Sequence, residues 1–381
     1  MTAVAPRQRL ISLDALRGLS VALMILVNSS DSRSWPCLHH AYWNGFTVAD
    51  TVYPTFLLVV GCAIQLSLGG RLAHGSSPTS LVPSILRRSV IIFLLGTIIV
   101  GFPHYDLHSL RVMGVLQRIA LCYLITALLF IYGRTTRFLA VTTAVLLVGY
   151  WALLRFVPVP GCGHPVRDFP ILDFQRNIVY VFDHHFFADA RMYHNQGRVF
   201  EPESLLSTWA AIATTLFGVL TARWLQSPHS PAQKLRGLWL AAFAGLALGA
   251  AWNPWFPINK SLWTSSFALF AAGVTLTFFA LFYWWFDVRA RSPKPLWPLL
   301  AFGSNAVFIY TFSELGDSVI NLIHTTSATG HTVSIHSFIS SSLHHHIAYQ
   351  PVASLCWALL LVFAAFIPAA LLYRFKIFIK V

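Results

Sequence analysis

Long apolar runs recur through the chain, and they leave few folds open. Ten such segments can be marked, at 10–28, 48–68, 89–102, 112–132, 138–156, 205–222, 235–252, 264–286, 296–312 and 351–373. A bilayer core of ~30 Å takes about 20 apolar residues per helical span, because backbone N–H and C=O groups in lipid must bond within their own helix. Only 10% of the 381 residues are charged, where a water-soluble chain carries about a quarter. The predicted fold is all-α: a single polytopic membrane domain over 1–381 with about ten transmembrane helices. Segments 89–102 and 235–252 are short and need their flanks to span. The first segment follows Arg7 and Arg9 as a signal peptide would. It holds Asp14 and Arg17, however, and runs into Asn28-Ser29-Ser30-Asp31 with no small-residue cleavage site, so it reads as a retained helix.

The formal net charge of +13 would suggest a nucleic-acid partner for a soluble protein, but here it divides by loop. With a cytoplasmic N-terminus, 16 of the 26 Lys and Arg fall inside and 8 outside, with Arg17 and Arg118 within spans. Short basic loops mark the cytoplasmic side, so both termini are placed there and no nucleic acid is needed. Of 13 acids only Asp287 falls inside, and of 16 histidines only His74 and His229. Groups that exchange protons near neutral pH therefore gather on the outer loops 29–47, 157–204, 253–263 and 316–350. The loop 157–204 shows no evident secondary structure and is too long to be a mere connection. Cys62, Cys122 and Cys356 fall in apolar spans as packing residues. Cys37 and Cys162, both outside, could pair in an oxidising compartment.

Charged residues inside spans are costly and point to function by default. Asp14 and Arg17 share one face of the first span, and Asn28 continues nearly the same stripe roughly 21 Å further along. The alternative is an ion pair that only locks helix packing, with Asn28 an outer cap. Outside it, His39-His40-Ala41-Tyr42-Trp43-Asn44-Gly45-Phe46-Thr47-Val48-Ala49-Asp50 leads into the second span. An imidazole beside an intramembrane carboxylate is what a general base needs, since the carboxylate holds the tautomer and stabilises the cation formed. Gln117 and Arg118 are buried in the fourth span. Asn259 and Lys260 occupy a short outer loop, where Lys260 either shapes an acceptor site or anchors at the interface. Glu314 shares a face with Tyr310 and could bind an ammonium or hydroxyl. Arg87 and Arg88 could hold phosphates or simply set topology. His344-His345-His346, with His331 and His336 nearby, has no carboxylate or cysteine at a convincing spacing, so no metal is expected.

The motifs themselves narrow these readings. In order along the chain stand Ser12-Leu13-Asp14-Ala15-Leu16-Arg17-Gly18, Met24-Ile25-Leu26-Val27-Asn28, His40-Ala41-Tyr42-Trp43-Asn44-Gly45 with Ala49-Asp50, and Gly114-Val115-Leu116-Gln117-Arg118-Ile119-Ala120. Pro257-Ile258-Asn259-Lys260-Ser261-Leu262-Trp263-Thr264-Ser265-Ser266 and the weaker Gly303-Ser304-Asn305-Ala306-Val307-Phe308-Ile309-Tyr310 follow. By these blocks the chain resembles the transmembrane heparan-alpha-glucosaminide N-acetyltransferase family and its bacterial relatives, within the wider membrane acyltransferases. The resemblance implies an enzyme that moves the acetyl group of cytosolic acetyl-CoA to an amino sugar on the far side. It implies His40, not His39, as the catalytic histidine and Asn28 as the family's asparagine; Asp50 joins them as a catalytic residue on the reading of the His40 loop given above. Asp14, Arg17, Gln117, Arg118, Ser304 and Asn305 are then expected at the acetyl-CoA site. Trp43, Asn44, Asn259, Lys260, Trp263 and Glu314 are expected at the acceptor site. Glu201-Pro202-Glu203-Ser204 departs from the family's Asp-Pro-Glu-Gly, and His184, His185 and His194 have no counterparts, which leaves the acceptor open.

On this reading His40 takes the proton of the acceptor amine as it attacks the thioester, Asn28 hydrogen-bonds the developing oxyanion, and Asp50 orients His40. A variant acetylates His40 first. An O-acyltransferase of a cell-envelope glycan is the alternative, and a sugar permease is a weaker one because paired halves with broken helices are not evident. The expected setting is the bacterial inner membrane, with the active site facing the periplasm. Expected partners are acetyl-CoA, an amino-sugar or glycan acceptor and the lipid bilayer, and the apolar surface permits a homodimer.

Overall fold

The computed structural model describes residues 10–195, 198–326 and 331–379. Arg7, Arg9 and Lys380, counted above on the cytoplasmic side, lie outside them. The described residues form thirteen α-helices: α1 Ile11–Asn28, α2 Ala49–Ala73, α3 Pro78–Gly101, α4 Val115–Gly133, α5 Thr136–Phe156, α6 Ile178–Phe186 and α7 Thr208–Leu225, then α8 Pro231–Trp252, α9 Ser265–Tyr283, α10 Trp297–Ser304, α11 Ala306–Leu322, α12 Ile335–His346 and α13 Gln350–Arg374. The only described strands make two small antiparallel hairpins, β1 Tyr193–Asn195 with β2 Arg198–Phe200, and β3 His324–Thr326 with β4 Thr332–Ser334.

Every expected span has a helical counterpart, and among the described residues eight or nine are long and apolar enough to cross a membrane. Eight helices qualify: α1 to α5, α8, α9 with its π-helical turn to Val288, and α13; the bent pair α10–α11 makes a ninth. The segment 205–222 folds as α7, whose threonines leave it less apolar, and it is buried along most of its length. The expected short span 89–102 starts instead at Pro78 and runs 24 residues. Ser77 caps it by accepting from Ser80 N, with proline in the first turn. Arg87 and Arg88 therefore lie within a helix, not in a loop. Similarly, 235–252 begins at Pro231 behind a Ser230–Gln233 capping box. A reading based on apolar runs stops at charges and misses such capped polar starts.

The ninth span also differs from expectation. It is broken by 75° between α10 and α11, and α11 continues to Leu322, well past the anticipated end at 312. The outer loop 157–204 is not structureless: it contains α6 and the β1–β2 hairpin. The segment 316–350 likewise holds β3, β4 and α12. Cys37 and Cys162 are both free thiols.

Two glycine pairs bring helices together at backbone distance. A Cβ on Gly18 would stand 1.7 Å from Leu299 O, and one on Gly303 2.0 Å from Asp14 O, so α1 and α10 touch with no side chain between them. Gly61 and Gly218 do the same for α2 and α7, at 1.8 Å from Thr215 O and 1.9 Å from Leu58 O. In a bilayer, where the hydrophobic effect does not pull helices together, such close approach is a main source of packing energy. Gly218→Ala is expected to cost about 1–3 kcal/mol or more by forced separation of the helices, lowering the thermal midpoint in detergent by roughly 5 °C. Gly316→Ala, whose added Cβ would meet nothing within 4 Å, should leave the midpoint in scanning fluorimetry unchanged.

Candidate active site

One end of the bundle collects the loops that hold most of the acids and histidines. The loop between α1 and α2 docks on the loop between α8 and α9: Gly45 N donates to Ile258 O (2.8 Å), and Asn259 Nδ2 donates to Asn44 Oδ1 (3.1 Å). Asn259 Oδ1 in turn accepts from Leu262 N (2.8 Å), closing its own turn. The expected acceptor residues Asn44 and Asn259 are thus brought together, and each is used to join the two loops.

Asp50 stands in the first turn of α2 with its side chain fully buried. Its Oδ1 accepts from His40 Nδ1 (2.9 Å), and its Oδ2 accepts the N–H groups of Ala41 (3.2 Å) and Thr47 (3.0 Å). The Thr47 hydroxyl bridges His39 O (2.7 Å) and Asp50 Oδ2 (3.1 Å). The bond at Nδ1 makes that nitrogen the donor and leaves Nε2 as the lone-pair nitrogen. His39 points elsewhere, with Nε2 on Ser34. Lys260 Nζ lies 3.0 Å from His40 Nδ1, 2.9 Å from Nε2 and 3.8 Å from Asp50 Oδ1. Burial pushes the His40 pKa below the usual imidazole value; the Asp50 hydrogen bond opposes this and the Lys260 charge adds to it. Burial likewise pushes the Lys260 ammonium down, although Asp50 and Glu203 pull the other way.

Beside this group is an ion cluster that sequence reasoning missed. Arg111, on the loop before α4, reaches the 157–204 loop and pairs with both Glu201 and Glu203. Burial alone would raise Glu203, but Arg111, Arg118 and Lys260 outweigh it and hold the carboxyl below its usual range. Arg118, wholly buried in α4, donates to Ser204 O (3.2 Å) and to Ser207 Oγ, and its guanidinium lies 5.1 Å over the Trp263 ring. Its Nε and Nη1 make no protein hydrogen bond, and neither does the amide of buried Gln117. The signal for this cluster was Glu201-Pro202-Glu203 just before an apolar span, since two acids there require a cation; which of the seven outer-loop arginines supplies it is not marked in the sequence.

The other expected residues are dispersed. Asn28 Nδ2 donates to Glu314 Oε1 (2.9 Å), joining the outer end of α1 to α11 at the edge of a cavity of about 610 Å³ walled by Ile25, Phe308, Phe312 and Leu361. No hydrogen bond links Asn28 to His40 among the described residues. Trp43 anchors the 157–204 loop, donating to Leu172 O (2.8 Å) and packing edge-on against Phe174. The space beside it is about 10 Å³, enough for a water and not for a sugar. Trp263 is fully buried, packed on Tyr53 and Phe267. At the other end of α1, Arg17 Nη1 bridges Asp14 Oδ1 and Gly303 O, both at 3.3 Å. Ser304 Oγ donates to Ala301 O (2.8 Å), while Asn305 ties down the C-terminal segment through Ile377 O (2.9 Å) and Ile379 N (2.8 Å). His344 Nε2 pairs with Asp31 Oδ2 (2.6 Å), and no group of three or more His, Cys, Asp or Glu among the described residues could hold a metal ion.

Arg111→Met would remove the shared hydrogen-bonding partner of two buried carboxylates and should destabilise by about 3–5 kcal/mol, read as a large drop in thermal midpoint that Glu201→Gln partly restores. A second expectation concerns Asp183 on α6, whose carboxyl burial pushes up to about 7 against a hydrogen bond from Ser204 Oγ (2.7 Å). An acid raised on folding contributes stability below its unfolded value, lost as pH rises through the folded value. Wild-type stability should therefore fall between about pH 4 and about pH 7 more steeply than that of Asp183→Asn. Equal slopes in thermal denaturation would refute this.

Comparison with known proteins agrees with the motifs. Residues 9–161 match the model of the family described as heparan-alpha-glucosaminide N-acetyltransferase, catalytic. The human heparan-alpha-glucosaminide N-acetyltransferase is 27% identical over an alignment covering all of this chain and 61% of its own length. The mouse protein of the same name is 28% identical, over 81% of this chain and 53% of its own. The chain thus spans only about half to three-fifths of the length of these curated relatives. The chain is similar to the heparan-alpha-glucosaminide N-acetyltransferases, through the catalytic family model over residues 9–161 and at low identity to the human protein over its whole length.

Proposed function

We propose that the chain is a transmembrane N-acetyltransferase that moves the acetyl group of cytosolic acetyl-CoA to the amine of a glucosamine-type sugar on the outer side of a bacterial inner membrane. The observation that carries this reading is the His40–Asp50 hydrogen bond, which makes Nδ1 the donor and gives Nε2 the lone pair that accepts a proton. The acceptor nitrogen attacks the thioester carbonyl carbon while Nε2 takes its proton. The C–S bond then breaks, and the imidazolium returns the proton to the leaving thiolate. Asp50 stabilises the imidazolium in between. Asn28 keeps a second amide N–H beyond the one given to Glu314, available for the developing oxyanion. Glu314, at the same cavity edge, suits the acceptor's ammonium or hydroxyls.

Of the residues expected to hold acetyl-CoA, Gln117 and Arg118 keep buried polar atoms without protein partners, which suits a polar ligand. Asp14, Arg17, Ser304 and Asn305 are engaged in holding α1, α10 and the C-terminal segment together, and support the site through that framework. In proteoliposomes given labelled acetyl-CoA on one face and glucosamine on the other, His40→Ala should lower transfer by about 10²–10⁴. Unchanged transfer by the folded variant would overturn the reading. An acetyl adduct on His40 without acceptor would select the two-step route.

A further inference from the structure

We propose that Lys260 is a positioning residue for His40, holding the ring neutral and keeping Nε2 as its free nitrogen by standing over the ring face. This rests on the reading of His40 as the base and goes beyond the substrate-binding role expected for this lysine from sequence. The geometry is specific. An atom within 3.0 Å of both ring nitrogens cannot lie in the ring plane without overlapping Cε1 between them, so Nζ sits above the ring. There the ammonium lies off the in-plane direction of the Nε2 lone pair, and the His40 side chain is 46% exposed. The ammonium is attracted by the π-face of a neutral imidazole and repelled by an imidazolium.

The charges around the pair act in opposition. Asp50, from the first turn of α2, accepts at Nδ1 and favours the cation. Glu203, from the segment before α7, acts more weakly in the same sense. Lys260, from the loop before α9, opposes both; its own ammonium is favoured by Asp50 and Glu203 and disfavoured by burial, the largest effect, and by Arg118, with a net shift downward. A His–Asp pair alone would keep the ring protonated over more of the mildly acidic range. The ring-face cation removes that tendency without occupying the position the substrate proton needs. The Lys260 backbone is held for this by the turn in which Trp263 N donates to Lys260 O (3.0 Å) and by the Asn259–Asn44 bond, so the ammonium and the imidazole come from two loops already fastened together.

The test reads the ring directly, apart from catalysis. Diethyl pyrocarbonate acylates only unprotonated imidazole, and peptide-resolved mass spectrometry follows His40 alone across pH in the full-length protein in detergent. In Lys260→Met the midpoint of modification should move up by roughly one pH unit, so that at the wild-type midpoint the rate falls about fivefold. Lys260→Arg, which keeps the charge, should stay near wild type, and the acid limb of the transfer rate should follow the same order. An unmoved or lowered midpoint in Lys260→Met overturns the proposal, as does an equal shift in Lys260→Arg. Should the Met variant fail to fold, the wild-type midpoint decides: a value at or above that of free histidine also overturns it. Loss of the base reading would show separately, as full transfer by His40→Ala with the midpoint order intact.

Discussion

The Asp50 carboxylate is the point on which the end of the molecule that holds the site depends. Out of water, a carboxylate must have its lone pairs met by protein donors, and here they come from a single short loop folded back over the start of α2. Satisfying the carboxylate therefore shapes the loop, and shaping the loop sets the His40 ring. The helix start adds a favourable field for the negative charge. The same residue places a negative charge in the first turn of the helix, organises the loop and partners the imidazole.

From this anchor the site grows by contacts between segments far apart in sequence. Gly45 and Asn44 lean on Ile258 and Asn259; Trp43 holds the 157–204 loop; Arg111 reaches across to Glu201 and Glu203. The cluster contains buried charges of both signs, and its members shift one another's proton affinity. Its cohesion is electrostatic at the rim and apolar beneath, where Tyr53, Trp263 and Phe267 pack as a column of aromatic rings.

What could be read from the sequence follows from the physics of each feature. The spans were legible because hydrophobicity is a property of a segment by itself. Helix starts at Pro78 and Pro231 were not, since capping residues are polar and break the apolar run. The bend at Asn305 was hidden because the residue's amide bonds to Ile377 and Ile379, more than seventy positions away. His40 and Asp50 are close in sequence, and their pairing was anticipated. The Arg111 clamp and the ring-face position of Lys260 depend on how loops from different hairpins meet, which no local pattern encodes. Trp43 and Trp263 carry motif positions, yet one fastens a loop and the other packs in the interior.

The glycine contact between α1 and α10 has a consequence of scale. With no side chains between the two backbones, and with Asn28 bonded to Glu314 on α11 at the opposite end, α1 is clamped to the bent pair at both extremities. It cannot slide along its neighbour without losing both attachments. The interval from Asp14 to Asn28 is then a fixed length of roughly 21 Å, a built-in ruler between the two faces. On the proposed function, a donor held at one end of this helix would have to bring its reacting carbon across by the extent of its own arm, because the helix beside it does not shorten the distance.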